Sequence, residues 1–328
     1  MHGDIARSVR LLAMPLLLAG VAAGIAPAAP AGATPAESVG TPTFVHNQLN
    51  GVAATSASNA WAVGCTHCFT TKGRALIEHW NGTGWQQVPS PAPADSVLSG
   101  VAATSGSNAW AVGEIYSSTS TKTLILHWNG TAWKQVPSPA PAGSLSGVAA
   151  SSASSAWAVG SSTAGASSKS LVLRWNGTAW KQAPSPNGVL SDVAATSAAS
   201  TWAVGYTGGA RTLVVRWNGT AWKQVPSPSL GAHFIPFLDA VAATSARNAW
   251  AVGDSTNCGC GPGTSLILHW NGAAWTRVPS PTPGGGTILR GVAATSATNA
   301  WAVGYSGSGI GPTTTLILRW NGKSWKSS

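Results

Sequence analysis

Apolar residues in this chain fall in short runs, each closed by Ser, Asn, Gly or Pro. No segment sustains the helical spacing of apolar positions, so strands are the expected element. The stretch from residue 100 shows the unit. It reads GVAAT at 100–104, a Ser/Asn-rich turn, AWAVG ending at Gly113, TLILHW at 123–128 and TAWKQV at 131–136. Each run has the length of one strand. Asn129-Gly130, between the last two, is the signal of a two-residue type I′ hairpin, whose central positions both need φ > 0.

This unit recurs six times, with landmarks in register. The first Trp of each copy is Trp61, Trp110, Trp157, Trp202, Trp250 and Trp301. The second is Trp80, Trp128, Trp175, Trp217, Trp270 and Trp320, and the third is Trp85, Trp133, Trp180, Trp222, Trp275 and Trp325. Together these account for all 18 Trp. A repeat of about 45–50 residues with four short strands is the period of a propeller blade. The expected fold is therefore all-β: a six-bladed β-propeller of four-stranded antiparallel blades, closed into a ring. Residues 49–328 form it, with copies starting near 49, 98, 145, 190, 238 and 289.

Strand chemistry sets the order within a blade. The first strand of each copy carries only small apolar residues, which suits the crowded inner edge. The last carries Lys134, Lys181, Lys223, Arg277 or Lys326 and commonly ends in Pro-Ser-Pro. Lys and Pro protect an exposed sheet edge, so this strand is placed outermost. The layout resembles the kelch-type propeller and its galactose-oxidase-like relatives, with one Gly after the second strand where kelch repeats have two. The WNGTAW units also resemble those of exported actinobacterial proteins. The resemblance implies that the long loops, which all leave one face, carry the ligand.

Composition and charge refine this picture. Hydrophobic residues make up 44% of the chain and charged residues 8%, which excludes a disordered chain. The formal charge of +10 raises a polyanion partner. Much of it is assigned to edge protection, so no nucleic-acid partner is expected. Arg7 and Arg10, the apolar run from Leu11 to Ile25 and the Ala31-Gly32-Ala33 site read as a signal peptide over residues 1–33. Residues 34–48 read as a linker, in which Thr43 to His46 could add a closing strand. The protein is then expected to be secreted, extracellular or cell-wall associated, monomeric and free of the membrane once the signal is cleaved. Export makes disulfides the default for Cys65, Cys68, Cys258 and Cys260. Binding of a metal by the Cys65-Thr66-His67-Cys68 run together with the later cysteines is the weaker alternative, and neither metal nor cofactor is expected.

Site candidates come from comparing the copies. The loops around the fifth are the longest and hold His233, Phe234, Phe237, Asp254 and Asn257. Tyr206 and Tyr305 follow second strands. Asp192 and Asp239 start inner strands, where they could line the axial mouth. His79, His127, Arg174, Arg216, His269 and Arg319 each precede a second Trp, as repeated sugar sites or as packing between blades. The acids are scattered among the copies with no evident pair, so the expectation is a non-enzymatic module binding a glycan, a cell-wall polymer or a protein. The alternatives are a display scaffold and an enzyme with an unrecognised site on the loop face.

Overall fold

The structure, a computed structural model, describes residues 47–68, 73–117, 120–162, 169–208, 211–231, 233–257, 263–283, 285–307 and 313–328. Every regular element among these is a strand, and the 24 strands form six four-stranded antiparallel sheets, each in chain order. The second blade is typical. Its strands are Ser96–Ser105, Asn108–Tyr116, Thr121–Trp128 and Trp133–Gln135.

The small residues of the inner strands let these strands meet around the axis. A Cβ on Gly51 would lie 3.1 Å from the Cα of Gly100, and one on Gly100 would lie 3.4 Å from the Cα of Gly147. The outer strands are three residues long, and Lys134, Lys181 and Lys223 on them are exposed. The turn before the outer strand is not the expected two-residue hairpin. Trp128 pairs with Trp133, which leaves Asn-Gly-Thr-Ala in the loop. The Asn129 side-chain oxygen accepts from the backbone N–H groups of Thr131 and Ala132, both at 3.0 Å, and Gly130 alone takes positive φ. An Asx turn thus supplies the reversal that the type I′ geometry would have supplied.

Blades are joined by tryptophan. The first Trp of one blade packs on the second and third Trp of the next: Trp110 lies 4.8 Å from Trp175 and 5.0 Å, edge-on, from Trp180. Trp61, Trp157, Trp202 and Trp250 repeat the arrangement. The basic residue before each second Trp covers the first Trp of its own blade. His79, His127 and His269 stack on it and also bond to Asn59, Asn108 and Asn248 at 2.8 Å. Where that Asn is Ser155 or Ser200, Arg174 or Arg216 lies over the indole instead. At these positions the basic groups pack against the indoles at the joints between blades.

Five joints are formed this way, and the sixth is open. Trp301 is 38% exposed and Val303 47%, whereas Trp110 and Val112 at the same positions are 0%. On the facing side, Val52 is 70% exposed and Trp85 46%, against 9% for Val101 and 4% for Trp133. Among the described residues no ring contact links Trp301 to Trp80 or Trp85. The six four-stranded blades follow one another in a propeller arrangement, as expected, but among the described residues the joint that would close the ring, between the sixth blade and the first, is not made. Sequence periodicity counts blades, but the angle between them is set by how each joint packs. The suggested closing strand at Thr43 to His46 and the signal segment lie outside the described residues.

Candidate functional site

The site begins with a backbone irregularity. Towards the start of every inner strand the pairing skips one residue: Asn50, Ser99, Ser146, Ser191, Asp239 and Arg290. Such a β-bulge leaves its residue unpaired and re-aims its side chain. Four copies place Asn or Ser there. The fifth and sixth place opposite charges, and Arg290 Nη1 donates to Asp239 Oδ2 at 2.8 Å across the last formed joint. Arg290 Nη2 also reaches the Tyr305 hydroxyl at 3.4 Å.

A second set of positions adjoins the bulges. It consists of the residue after the Gly of each second strand: Cys65, Glu114, Ser161, Tyr206, Asp254 and Tyr305. Leu238 pairs with Gly253 and Phe237 with Asp254, so the Asp239 bulge and Asp254 share one end of the fifth blade. The Tyr206 ring meets Phe237 edge-on at 4.9 Å from the preceding blade. Tyr206, Phe237, Asp239, Asp254, Arg290 and Tyr305 therefore gather at the mouth of the axis on the loop face, across the fourth to sixth blades.

The two carboxyl groups at this mouth sit in different fields. Burial pushes both upward from the ordinary range. For Asp239 the Arg290 charge and hydrogen bond oppose that rise. Asp254 is 5% exposed, and no hydrogen bond reaches it from the described residues. Burial first, and the Asp239 charge second, push it up to about 6, although Arg290 draws it down. Burial and the Asp239 charge also raise the Tyr206 hydroxyl. A pair of carboxylates thus does come together here, contrary to the scattered distribution read from the sequence. The hairpin register and the bulge create the pair, and neither is visible in residue spacing.

The other candidates are distributed differently. His233, Phe234 and Asn257 are exposed, with Phe234 opposite Asn257 at the far end of the fifth blade's long hairpin. Asp192, the other suggested mouth carboxylate, is a structural tie. Its oxygens accept the backbone N–H groups of Val193 at 2.8 Å and Val241 at 2.9 Å, joining the fourth blade to the fifth. Its carboxyl too is pushed up to about 6, by burial against the pull of those two donors. Cys65 and Cys68 form a disulfide with 5.4 Å between their Cα atoms. Cys258 and Cys260 lie outside the described residues. Arg290 was not among the expected residues. Its signal is the alignment of LRG at 289–291 with LSG at 98–100 and 145–147, where one Arg replaces a Ser.

Chemically the mouth combines an ion pair, a carboxyl pushed up to about 6 and three aromatic rings. Asp239 and Arg290 offer acceptors and donors side by side, and the rings offer apolar faces. Among the described residues no three His, Cys, Asp or Glu side chains come together as a metal site.

No family model and no curated protein sequence matches the chain. Solved structures share its fold. YCF48 bound to D1 peptide is 17% identical, with a TM-score of 0.57 over 88% of this chain and 83% of that one. A polysaccharide lyase, ulvan lyase, bound to a GlcA(1-4)Rha3S saccharide, is 9% identical, with a TM-score of 0.58 over 84% and 81%. Aleuria aurantia lectin in complex with Fucα1-6GlcNAc is 13% identical, with a TM-score of 0.52 over 88% and 96%. At these identities the likeness shows the propeller fold alone.

Proposed function

We propose that the protein is a secreted, monomeric binding propeller that takes a glycan at the axial mouth of its loop face. The observation that carries the reading is the replacement of the Asn/Ser bulge by Asp239 and Arg290 in adjacent blades, beside Tyr206, Phe237 and Tyr305. Hydroxyl groups of a sugar pair well with a carboxylate and a guanidinium held side by side, and sugar rings lie against aromatic faces. Structural neighbours that bind saccharides or a peptide through a propeller support a binding role. The disulfide between Cys65 and Cys68 supports an oxidising, extracellular setting. The kelch-type layout of the repeat belongs to the same proposal, since it places the ligand on the loop face.

A glycan array followed by calorimetry tests this. Asp239→Asn is expected to weaken the best glycan at least tenfold, and Phe234→Ala at the outer hairpin to change it less than twofold. A ligand that binds Asp239→Asn and the parent equally would remove the mouth from consideration.

One observation favours a second reading, that of an enzyme. Asp254 is pushed up to about 6 beside Asp239, whose own rise by burial the Arg290 charge opposes, and neighbouring carboxyl groups held in different fields are the usual acid and base of glycan cleavage. Turnover of a bound glycan that Asp254→Asn abolishes, without loss of binding, would decide for it.

A further inference from the structure

A second site lies away from the mouth, at the joint between the third and fourth blades. A cavity of about 420 Å³ opens there, lined among others by Trp157, Arg174, Lys181, Ser185, Trp217 and Trp222. Its size is that of a small-molecule pocket, which is typically ~300–1,000 Å³. No acidic side chain lines it.

The repeats provide the comparison that makes this cavity unusual. Three of the six equivalent basic groups are His residues bonded to Asn. Arg216 donates to the Ala246 carbonyl at 3.1 Å, and Arg319 is exposed at the open joint. Arg174 is half-buried and no hydrogen bond reaches it among the described residues. Its guanidinium carbon lies 5.3 Å from the Trp157 ring centre and 5.2 Å from that of Trp217, and its Nε is buried without a partner. The buried Ser155 hydroxyl, where four of the six copies carry Asn, also has none. Directly across the strand pair stands Lys181, as Lys223 and Lys326 stand across from Arg216 and Arg319, and like charges placed opposite each other destabilise a sheet.

Two cations with no anion, set in a cavity with indole walls, need a ligand that is anionic at one end and has an apolar ring face at the other. We propose that this joint binds a carboxylated sugar, a hexuronic acid residue of an acidic glycan. Arg174 and Lys181 take the carboxylate, and Trp217 and Trp222 flank the ring. The proposal is independent of the mouth, because Asp239 and Arg290 play no part in it.

The experiment is titration with oligogalacturonate, with a neutral gluco-oligosaccharide and sodium acetate as the other arms, in parent and variants. Oligogalacturonate is expected to bind at least tenfold more tightly than either control. Arg174→Gln is expected to weaken it at least tenfold, and Asp239→Asn to leave it unchanged. Lys181→Gln, on an exposed side chain, is expected to weaken it about threefold to tenfold with an unaltered melting temperature, and it decides the matter should Arg174→Gln fail to fold. Equal binding of the neutral sugar or of acetate, or full binding by Lys181→Gln, would overturn the proposal. Failure of Asp239→Asn to bind would transfer the acidic sugar to the mouth and likewise overturn it.

Discussion

Trp250→Ala and Trp301→Ala remove the same side chain from the same strand position in adjacent blades, but from different surroundings. Trp250 is fully buried, 5.0 Å from Trp320, 5.2 Å from Trp325 and 4.1 Å from His269. A buried Trp removes about 150–250 Å² from water, worth roughly 4–6 kcal/mol at ~25 cal/mol per Å², and truncation to Ala typically costs about 3–5 kcal/mol. Trp301 is 38% exposed, meets no ring of another blade among the described residues and keeps one cation–π contact, from Arg319 at 5.2 Å. Being 38% exposed, it keeps about three-fifths of that area out of water, so its truncation should cost roughly 2–4 kcal/mol. Urea unfolding followed by far-UV circular dichroism separates the two, since it does not depend on the indole removed. For a domain of this size, 1 kcal/mol moves the melting temperature by about 2–4 °C. The Trp250 variant should thus melt about 6–20 °C lower and the Trp301 variant by roughly three-fifths of that shift. Equal losses within about 0.5 kcal/mol would refute the reasoning, because they would mean that Trp301 is covered in solution and the sixth joint is made.

Three further outcomes follow from the same structure. Asp254→Asn should stabilise the protein at pH 7.5 by roughly 2–3 kcal/mol: raising the folded carboxyl from 3.8 to about 6 means that the parent loses stability as pH climbs through that window. The gain should vanish below about pH 3.8, and urea midpoints across pH check it; a pH-independent gain would point to packing instead. Asp192→Ala should cost about 2–3 kcal/mol near pH 4, because the N–H groups of Val193 and Val241 lose their shared acceptor, and less at pH 7.5, where the change also removes a buried charge; denaturant unfolding at the two pH values measures it. Hydrogen exchange should be fastest at the amides of the free faces, around Val52 and Ile317, and slow at Val101 and Ile125; uniform protection across all six blades would contradict the open joint.

The repeat made most of the fold legible. One unit copied six times fixes the strands, their order and the blade count, because every landmark is read repeatedly. Lys134 and its equivalents marked the outer edge, and the Gly/Ala/Val inner strands marked the axis. The turn was misread at Asn129-Gly130 because an Asx turn and a type I′ hairpin draw on the same two residues. The free faces were not legible, since Trp301 and Trp250 have nearly identical local sequences and differ only in what lies beyond them. At the mouth, Tyr206, Phe237, Asp254 and Tyr305 were visible as departures from the repeat. Arg290 was not, because a single charged substitution on an inner strand gains meaning only when the bulge turns it toward Asp239.

The open joint changes what a ligand does to this molecule. Among the described residues six units are joined at five places, and units so joined behave as a short linear array, in which the end units have one neighbour and the others have two. The sixth blade is therefore held mainly by the fifth, and the Asp239–Arg290 pair spans that same boundary. A molecule gripping both residues would act as a cross-brace, and at a hundredfold excess over its dissociation constant it would add about 2.7 kcal/mol to the attachment of the terminal blade. Saturation at the mouth would then be read far from the mouth, as slower opening of a blade that touches the ligand at one end only.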